Sequence, residues 1–159
     1  MQRRLDQEFE IERHHYVMQF RFVSSPTATP DLIVVRARKD GPILGIRPNA
    51  VGLVDSSGPN QVWRYNKTPD VCSPLVVDGL VYLCGDGILT CIDAKSGSEL
   101  YKERIHGGIF RGAPVYADGK ILLPCQDGTV IIVKAGKTFE VIATNELADR
   151  INATLVAAN

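Results

Sequence analysis

From residue 73 onward, apolar residues arrive in short runs, each closed by a turn sequence. Runs at 73–77, 80–84, 88–92 and 99–104 are separated by Asp78-Gly79, Gly85-Asp86-Gly87 and Ala94-Lys95-Ser96-Gly97. Strand-length runs closed by Asp-Gly predict hairpins, because glycine accepts the positive φ that tight two-residue turns require. The plan returns at 113–117, 120–125, 129–134 and 140–144. Pro124 falls inside the second of these, and a mid-strand proline suits an edge or a bulge better than a central position. Upstream, 16–23 alternates apolar and polar residues and reads as a strand. Further strands follow at 31–37, 43–47 and 61–65, with turns at Thr29-Pro30 and Lys39-Asp40-Gly41-Pro42. Residues 1–15 are highly charged and read as a short helix or an extended N-terminal extension.

The runs also repeat as a set. Ser73-Pro74-Leu75-Val76-Val77-Asp78-Gly79 returns forty residues later as Ala113-Pro114-Val115-Tyr116-Ala117-Asp118-Gly119, and begins again at Ala153-Thr154-Leu155-Val156-Ala157. A fixed period in the forties, filled with four short strands, is the mark of a propeller blade. The expected fold is therefore all-β: an incomplete β-propeller of four-stranded antiparallel blades, about three and a quarter of them. The blades are expected at about 16–66, 71–105 and 111–147, with a partial blade at 151–159. Residues 145–157 also contain good helix formers, but the repeat register argues against a helix there. Blades bury both faces only against neighbours, so a short row of them predicts open end faces and a chain that oligomerises, aggregates or closes with a partner copy.

The 159 residues suit one domain, and a 45 % hydrophobic content supplies a core. Eighteen basic and eighteen acidic residues balance, which argues against a nucleic-acid groove or an anionic membrane surface as partner. No stretch approaches the roughly 18 apolar residues of a membrane helix. The start, Met1-Gln2-Arg3-Arg4-Leu5-Asp6, shows no signal peptide. Cys72, Cys84, Cys91 and Cys125 form no CxxC pair. Cys84 and Cys125 each stand two residues before an Asp-Gly, as equivalent positions of successive repeats, and all four read as small buried hydrophobes.

Candidate chemistry is sparse. His14-His15 are adjacent and point apart on either a strand or a helix, so they read as exposed polar residues rather than two ligands of one ion. His106 precedes Gly107-Gly108 in an inter-blade loop with no partner identifiable in the sequence. Asp78, Asp86, Asp118 and Asp127 all precede glycine, and turn formation accounts for each. Arg104, Phe110 and Arg111 flank the loop between the second and third blades as a possible interaction rim, since Arg and aromatic residues are favoured in protein interfaces.

The segment Cys91-Ile92-Asp93-Ala94-Lys95-Ser96-Gly97-Ser98-Glu99-Leu100-Tyr101 resembles the docking motif of pyrroloquinoline-quinone (PQQ)-like propellers, Ala-x-Asp-x-x-Thr-Gly-x-x-x-Trp. Asp93 and Gly97 match, Ser96 stands for Thr and Tyr101 for Trp. Asp55, Gly58 and Trp63 form a looser copy in the first blade. The third blade keeps Gly136 but has Lys134 in place of the Asp. In that family the aromatic residue lies between neighbouring blades. The runs 25–35 and 68–74 and Val133-Lys134-Ala135-Gly136 are similar to planctomycete-type PQQ-like proteins related to the outer-membrane assembly lipoprotein. Family members carry more blades than this, so the chain reads as a C-terminal fragment.

The resemblance implies a non-catalytic scaffold for protein or peptide partners, or for missing blades of the same propeller, in the periplasm or elsewhere outside the cytoplasm. The alternative is a fragment of a PQQ-dependent quinoprotein oxidoreductase. Its relatives hold the cofactor with Ca²⁺, a stacking Trp, an Arg and a disulfide of adjacent cysteines. This sequence has no adjacent cysteines, and Trp63, its single tryptophan, stands at a docking position, so no cofactor is expected. A propeller lyase or hydrolase is a third possibility and would need a polar cluster at the central channel.

Overall fold

The computed structural model describes residues 24–36, 41–52, 54, 58–66 and 72–157, which form three four-stranded antiparallel sheets with no helix. The first sheet holds β1 (Thr27–Ala28), β2 (Ile33–Arg36), β3 (Ile43–Ile46) and β4 (Gln61–Tyr65). The second holds β5 (Leu75–Val77), β6 (Leu80–Gly85), β7 (Ile88–Asp93) and β8 (Glu99–Arg104). The third holds β9 (Val115–Ala117), β10 (Lys120–Pro124), β11 (Thr129–Lys134) and β12 (Val141–Glu146). Each sheet is a simple meander in chain order. The innermost strand β5 touches β1 on one side and β9 on the other. The three sheets therefore stand side by side as consecutive blades of an incomplete propeller.

Strand periodicity explains why the sheets need one another. Side chains alternate across a strand, so one strand can feed two cores. All six residues of β6 are buried. Val81 and Leu83 join Leu32, Val34, Ile43, Trp63, Tyr65 and Ile92 between the first and second sheets. Leu80, Tyr82 and Cys84 face the other way and join Leu89, Cys91, Ile121, Leu123, Cys125, Ile131 and Val133 between the second and third. Each fully buried Leu or Ile contributes about 1.5–3 kcal/mol, and only a blade with two neighbours collects this on both faces.

The end sheets bury one face fully and leave the other partly open. On β2 and β3, Val34 and Ile43 are buried while Ile33, Val35, Leu44 and Ile46 are half-buried on the opposite face. On β10 and β11, Ile121, Leu123, Ile131 and Val133 are buried, while on the opposite face Leu122 and Ile132 are half-buried beside the buried Pro124 and Val130. The chain after β12 runs along the edge of the third sheet. Ile151 N donates to Gln126 O at 3.4 Å, Gln126 Nε2 to Asn152 Oδ1 at 2.7 Å, and Ala113 N to Thr154 Oγ1 at 3.0 Å. The last bond repeats the one between the first two sheets, where Ser25 N donates to Ser73 Oγ at 2.9 Å. Residues 151–157 thus approach as the start of a next blade but form no strand there. β12 extends to Glu146, and no helix follows it within 145–157.

Two local expectations are revised and one falls on residues that are not described. The inner strand of the first sheet is Thr27–Ala28, just before the Thr29-Pro30 turn, where the sequence predicts no strand; it pairs with Val34 and Ile33. The strand expected over 16–23 lies outside the described residues. Pro124 closes β10 opposite Val130, whereas β9 pairs only as far as Leu122. Cys125 N donates toward β11, to Thr129 O at 2.7 Å, so the missing N–H of Pro124 falls on the side where β9 has ended and costs no ladder bond.

Candidate functional site

Meander topology puts the β7–β8 turn and the β5–β6 turn at one end of the middle blade, and the β6–β7 turn and the exit loop 105–110 at the other. The docking motif occupies the first end. Asp93 Oδ1 accepts from Ser96 N at 2.9 Å, Ser96 Oγ at 2.9 Å and Lys95 N at 3.1 Å. These donors hold the Asp93 carboxyl below the usual carboxylate range. Gly97 closes the turn at φ 72°. Trp63, from β4 of the preceding blade, is packed flat against it: a Cβ on Gly97 would come within 2.6 Å of Trp63 Cβ, and one on Gly45 would overlap the indole ring. Trp63 Nε1 donates to Ala94 O at 2.7 Å. Tyr65, two residues on, donates its hydroxyl to Glu99 Oε2 at 2.5 Å across the same seam.

The next seam uses the equivalent strand position. Tyr101 on β8 meets Phe139 of the third blade with ring centroids 5.7 Å apart. Its hydroxyl is buried without a hydrogen-bond partner. Tyr82 reaches across as well, its hydroxyl accepting from Gly136 N at 2.8 Å. Burial pushes the Tyr82 hydroxyl up to about 12. Asp55 lies outside the described residues, and Lys134, at the third blade's Asp position, pairs with Glu140 at 3.4 Å.

A groove of about 680 Å³ opens at this end between the first two blades, with Arg47, Lys95 and Lys137 set against Asp31, Asp78 and Asp93. Its charge is balanced. Trp63 is not free to stack on a flat ligand there, because its ring is held between Gly45 and Gly97 and is only 6 % exposed.

The opposite end contains an arrangement that the sequence did not reveal. Asp78, Asp86 and Asp118 take positive φ (49°, 52° and 47°) and serve as turn formers. Asp127 does not share that conformation. Its Oδ1 accepts from Thr129 N at 3.0 Å, and its Oδ2 lies 2.7 Å from His106 Nε2. The hydrogen bond from His106, and after it those from Thr129, hold the Asp127 carboxyl far below the usual range. An ionised carboxylate only accepts, so Nε2 carries the shared proton. Cys125 lies beside them: one ligand atom from each of His106, Cys125 and Asp127 lies within 4.8 Å of the others. The Cys125 thiol is buried and donates to Ile109 O at 3.4 Å. Burial pushes its pKa up, so it is a protonated thiol rather than an activated nucleophile.

The remaining candidates separate. Arg104 is exposed, with Nη1 3.4 Å from Asp86 O, and Arg111 is exposed. Phe110 is not on a rim: it is 2 % exposed within the core between the second and third blades, bridged to Cys125 by backbone pairing and edge-on to the His106 ring at 6.4 Å. An aromatic side chain beside a glycine-rich loop is drawn into the nearest apolar seam. Cys72, Cys84, Cys91 and Cys125 are all buried, and none forms a disulfide. Burial pushes the Cys91 thiol up to about 11, and raises Cys84 further with the help of Cys72 and Cys125 nearby. His14 and His15 lie outside the described residues.

No family model matches the sequence, and no curated protein matches it. Solved structures do resemble the fold. A europium-containing methanol dehydrogenase aligns with TM-score 0.62 and 17 % identity over 76 % of this chain and 24 % of its own length. BamB from Moraxella catarrhalis aligns with TM-score 0.59 and 19 % identity over 81 % of this chain and 41 % of its own. Quinohemoprotein alcohol dehydrogenase from Comamonas testosteroni aligns with TM-score 0.59 and 20 % identity over 79 % of this chain and 21 % of its own. The chain thus spans between about a fifth and two fifths of these proteins, and the likeness establishes a quinoprotein-like and BamB-like propeller fold.

Proposed function

We propose that this chain is a non-catalytic PQQ-like propeller segment that serves as a scaffold for protein contacts made through its end blades. One observation carries the reading. The middle blade is buried on both faces, whereas each end blade presents a half-buried apolar row, Ile33, Val35, Leu44 and Ile46 at one end and Leu122 and Ile132 at the other. Such faces are completed by further blades, from a second copy or from a protein partner. Light scattering on the purified chain tests this: it should associate, and Leu44→Glu with Leu122→Glu should give monomers that keep their strand content. A monodisperse, cooperatively melting wild-type monomer overturns it.

The second reading is a segment of a quinoprotein oxidoreductase, favoured by the likeness to two dehydrogenases. The seam position of Trp63 weighs against it, as this side chain is already engaged in blade packing. Titration with PQQ and Ca²⁺ separates the readings, since a stoichiometric spectral change belongs only to the second. A planctomycete-type origin and a location outside the cytoplasm belong to the first reading and rest on the sequence resemblance. No helix among the described residues is long and apolar enough to cross a membrane.

A further inference from the structure

We propose that His106, Cys125 and Asp127 form a binding site for one divalent cation of the zinc type, placed across the seam between the second and third blades. The three groups are an imidazole nitrogen, a thiol sulfur and a carboxylate oxygen within 4.8 Å of one another. Imidazole and thiolate together select borderline-soft cations such as Zn²⁺ or Co²⁺ over Ca²⁺ and Mg²⁺, which take oxygen ligands.

The surrounding chain presents these groups to one point. Cys125 and Asp127 come from the end of β10 and the turn after it, and His106 from the exit loop of the previous blade. Ile105 N donates to Gly87 O at 2.8 Å, which pins that loop to the second blade. The Phe110 ring stands edge-on to the imidazole at 89°, with centroids 6.4 Å apart. Thr129 N occupies Asp127 Oδ1 and leaves Oδ2 turned to His106. Gly108 passes so closely that a Cβ there would overlap Cys125 Sγ, lie 3.0 Å from His106 Cδ2 and 3.2 Å from Asp127 Oδ2. The loop wraps all three groups only because position 108 has no side chain.

The preceding blade supplies an internal comparison. Its turn Cys84-Gly85-Asp86-Gly87 has the same Cys-x-Asp-Gly spacing, but the exit segment before it, residues 66–70, contains no histidine. There Asp86 takes positive φ in a two-residue turn between Gly85 and Ile88, whereas Asp127 sits in the longer turn closed by Cys125 and Thr129 and turns its carboxyl to His106. On binding, the cation takes the place of the proton on His106 Nε2, that proton moves through solvent to Nδ1 so that the imidazole stays neutral, and the Cys125 thiol proton passes to solvent. The fourth position is left to water. His106 and Asp127 side chains are 32 % and 48 % exposed, which gives the ion a path in.

Cobalt titration of the untagged full chain is the test. One equivalent of Co²⁺ should give a near-ultraviolet thiolate-to-cobalt charge-transfer band, which the His14-His15 pair cannot produce, and Zn²⁺ should bleach it. Cys125→Ser should abolish the band. His106→Gln and Asp127→Asn, near-isosteric changes outside the buried core, should each weaken binding by about tenfold or more. Zn²⁺ should raise the melting temperature of the wild type and not of these two variants, because a ligand stabilises only the state that binds it. A missing band, or equal affinity in wild type, His106→Gln and Asp127→Asn, overturns the assignment.

Discussion

Replacing Trp63 by alanine removes the side chain that joins the first two blades. The indole is 6 % exposed, lies against Gly45 and Gly97, and donates a 2.7 Å hydrogen bond to Ala94 O. Two losses add. Truncating a buried Trp to Ala costs about 3–5 kcal/mol through lost transfer energy and residual cavity, because Gly45 and Gly97 have no side chains with which to fill the space. The Ala94 carbonyl also loses its donor, a contribution of about 1 kcal/mol already contained in that range. At roughly 2–4 °C per kcal/mol for a chain of this size, the melting temperature should fall by roughly 6–20 °C. Trp63→Phe keeps most of the ring contact and loses the N–H, so it should cost only about 1–2 kcal/mol. Urea melts followed by far-ultraviolet circular dichroism measure both variants. Trp63 is the single tryptophan, so wild-type fluorescence reports on the same seam. A Trp63→Ala loss below about 1 kcal/mol, or equal losses for the two variants, refutes the idea that this ring couples the blades.

Tyr101 should behave differently from Trp63, because its hydroxyl is buried without a partner while its ring packs on Phe139. Tyr101→Phe should therefore melt at or above the wild-type temperature and Tyr101→Ala well below it; a clear loss in Tyr101→Phe would mean that the hydroxyl is bonded. Asp93 should make its turn acid-sensitive. Its folded pKa is depressed by donors from Ser96 and Lys95, so its contribution is present above the unfolded value of about 3.9 and is lost as pH falls through the folded value. Melting curves of wild type and Asp93→Asn should differ at neutral pH and converge in acid; a gap that persists at the acid end counts against the turn.

Much of this fold is readable in the sequence because its determinants are local. Asp78-Gly79 and Asp118-Gly119 adopt positive φ at both residues, so each hairpin carries its own turn, and the forty-residue spacing follows from stacking equal units. Period-two alternation along β6 places Val81 and Leu83 in one core and Leu80, Tyr82 and Cys84 in another. Other features were not readable, and for a physical reason. Phe110 looks like a surface aromatic in a glycine-rich loop until the seam beside it is known. Asp127 has the same Asp-Gly sequence as three turn-forming aspartates. Its distinct role comes from His106, twenty-one residues earlier and on another blade.

The amino-acid order alone determined what each blade is: four short strands, their turns, and the two faces that alternation creates. Those choices depend on φ preferences and side-chain polarity, which act within a few residues. Tertiary structure alone decided what the blades do to one another. It set the flat seat of Trp63 on Gly97, the wrapping of Gly108 around Cys125, and the meeting of His106 with Asp127. These depend on how closely two sheets approach, a distance set jointly by every side chain in the seam and carried by no short stretch of sequence.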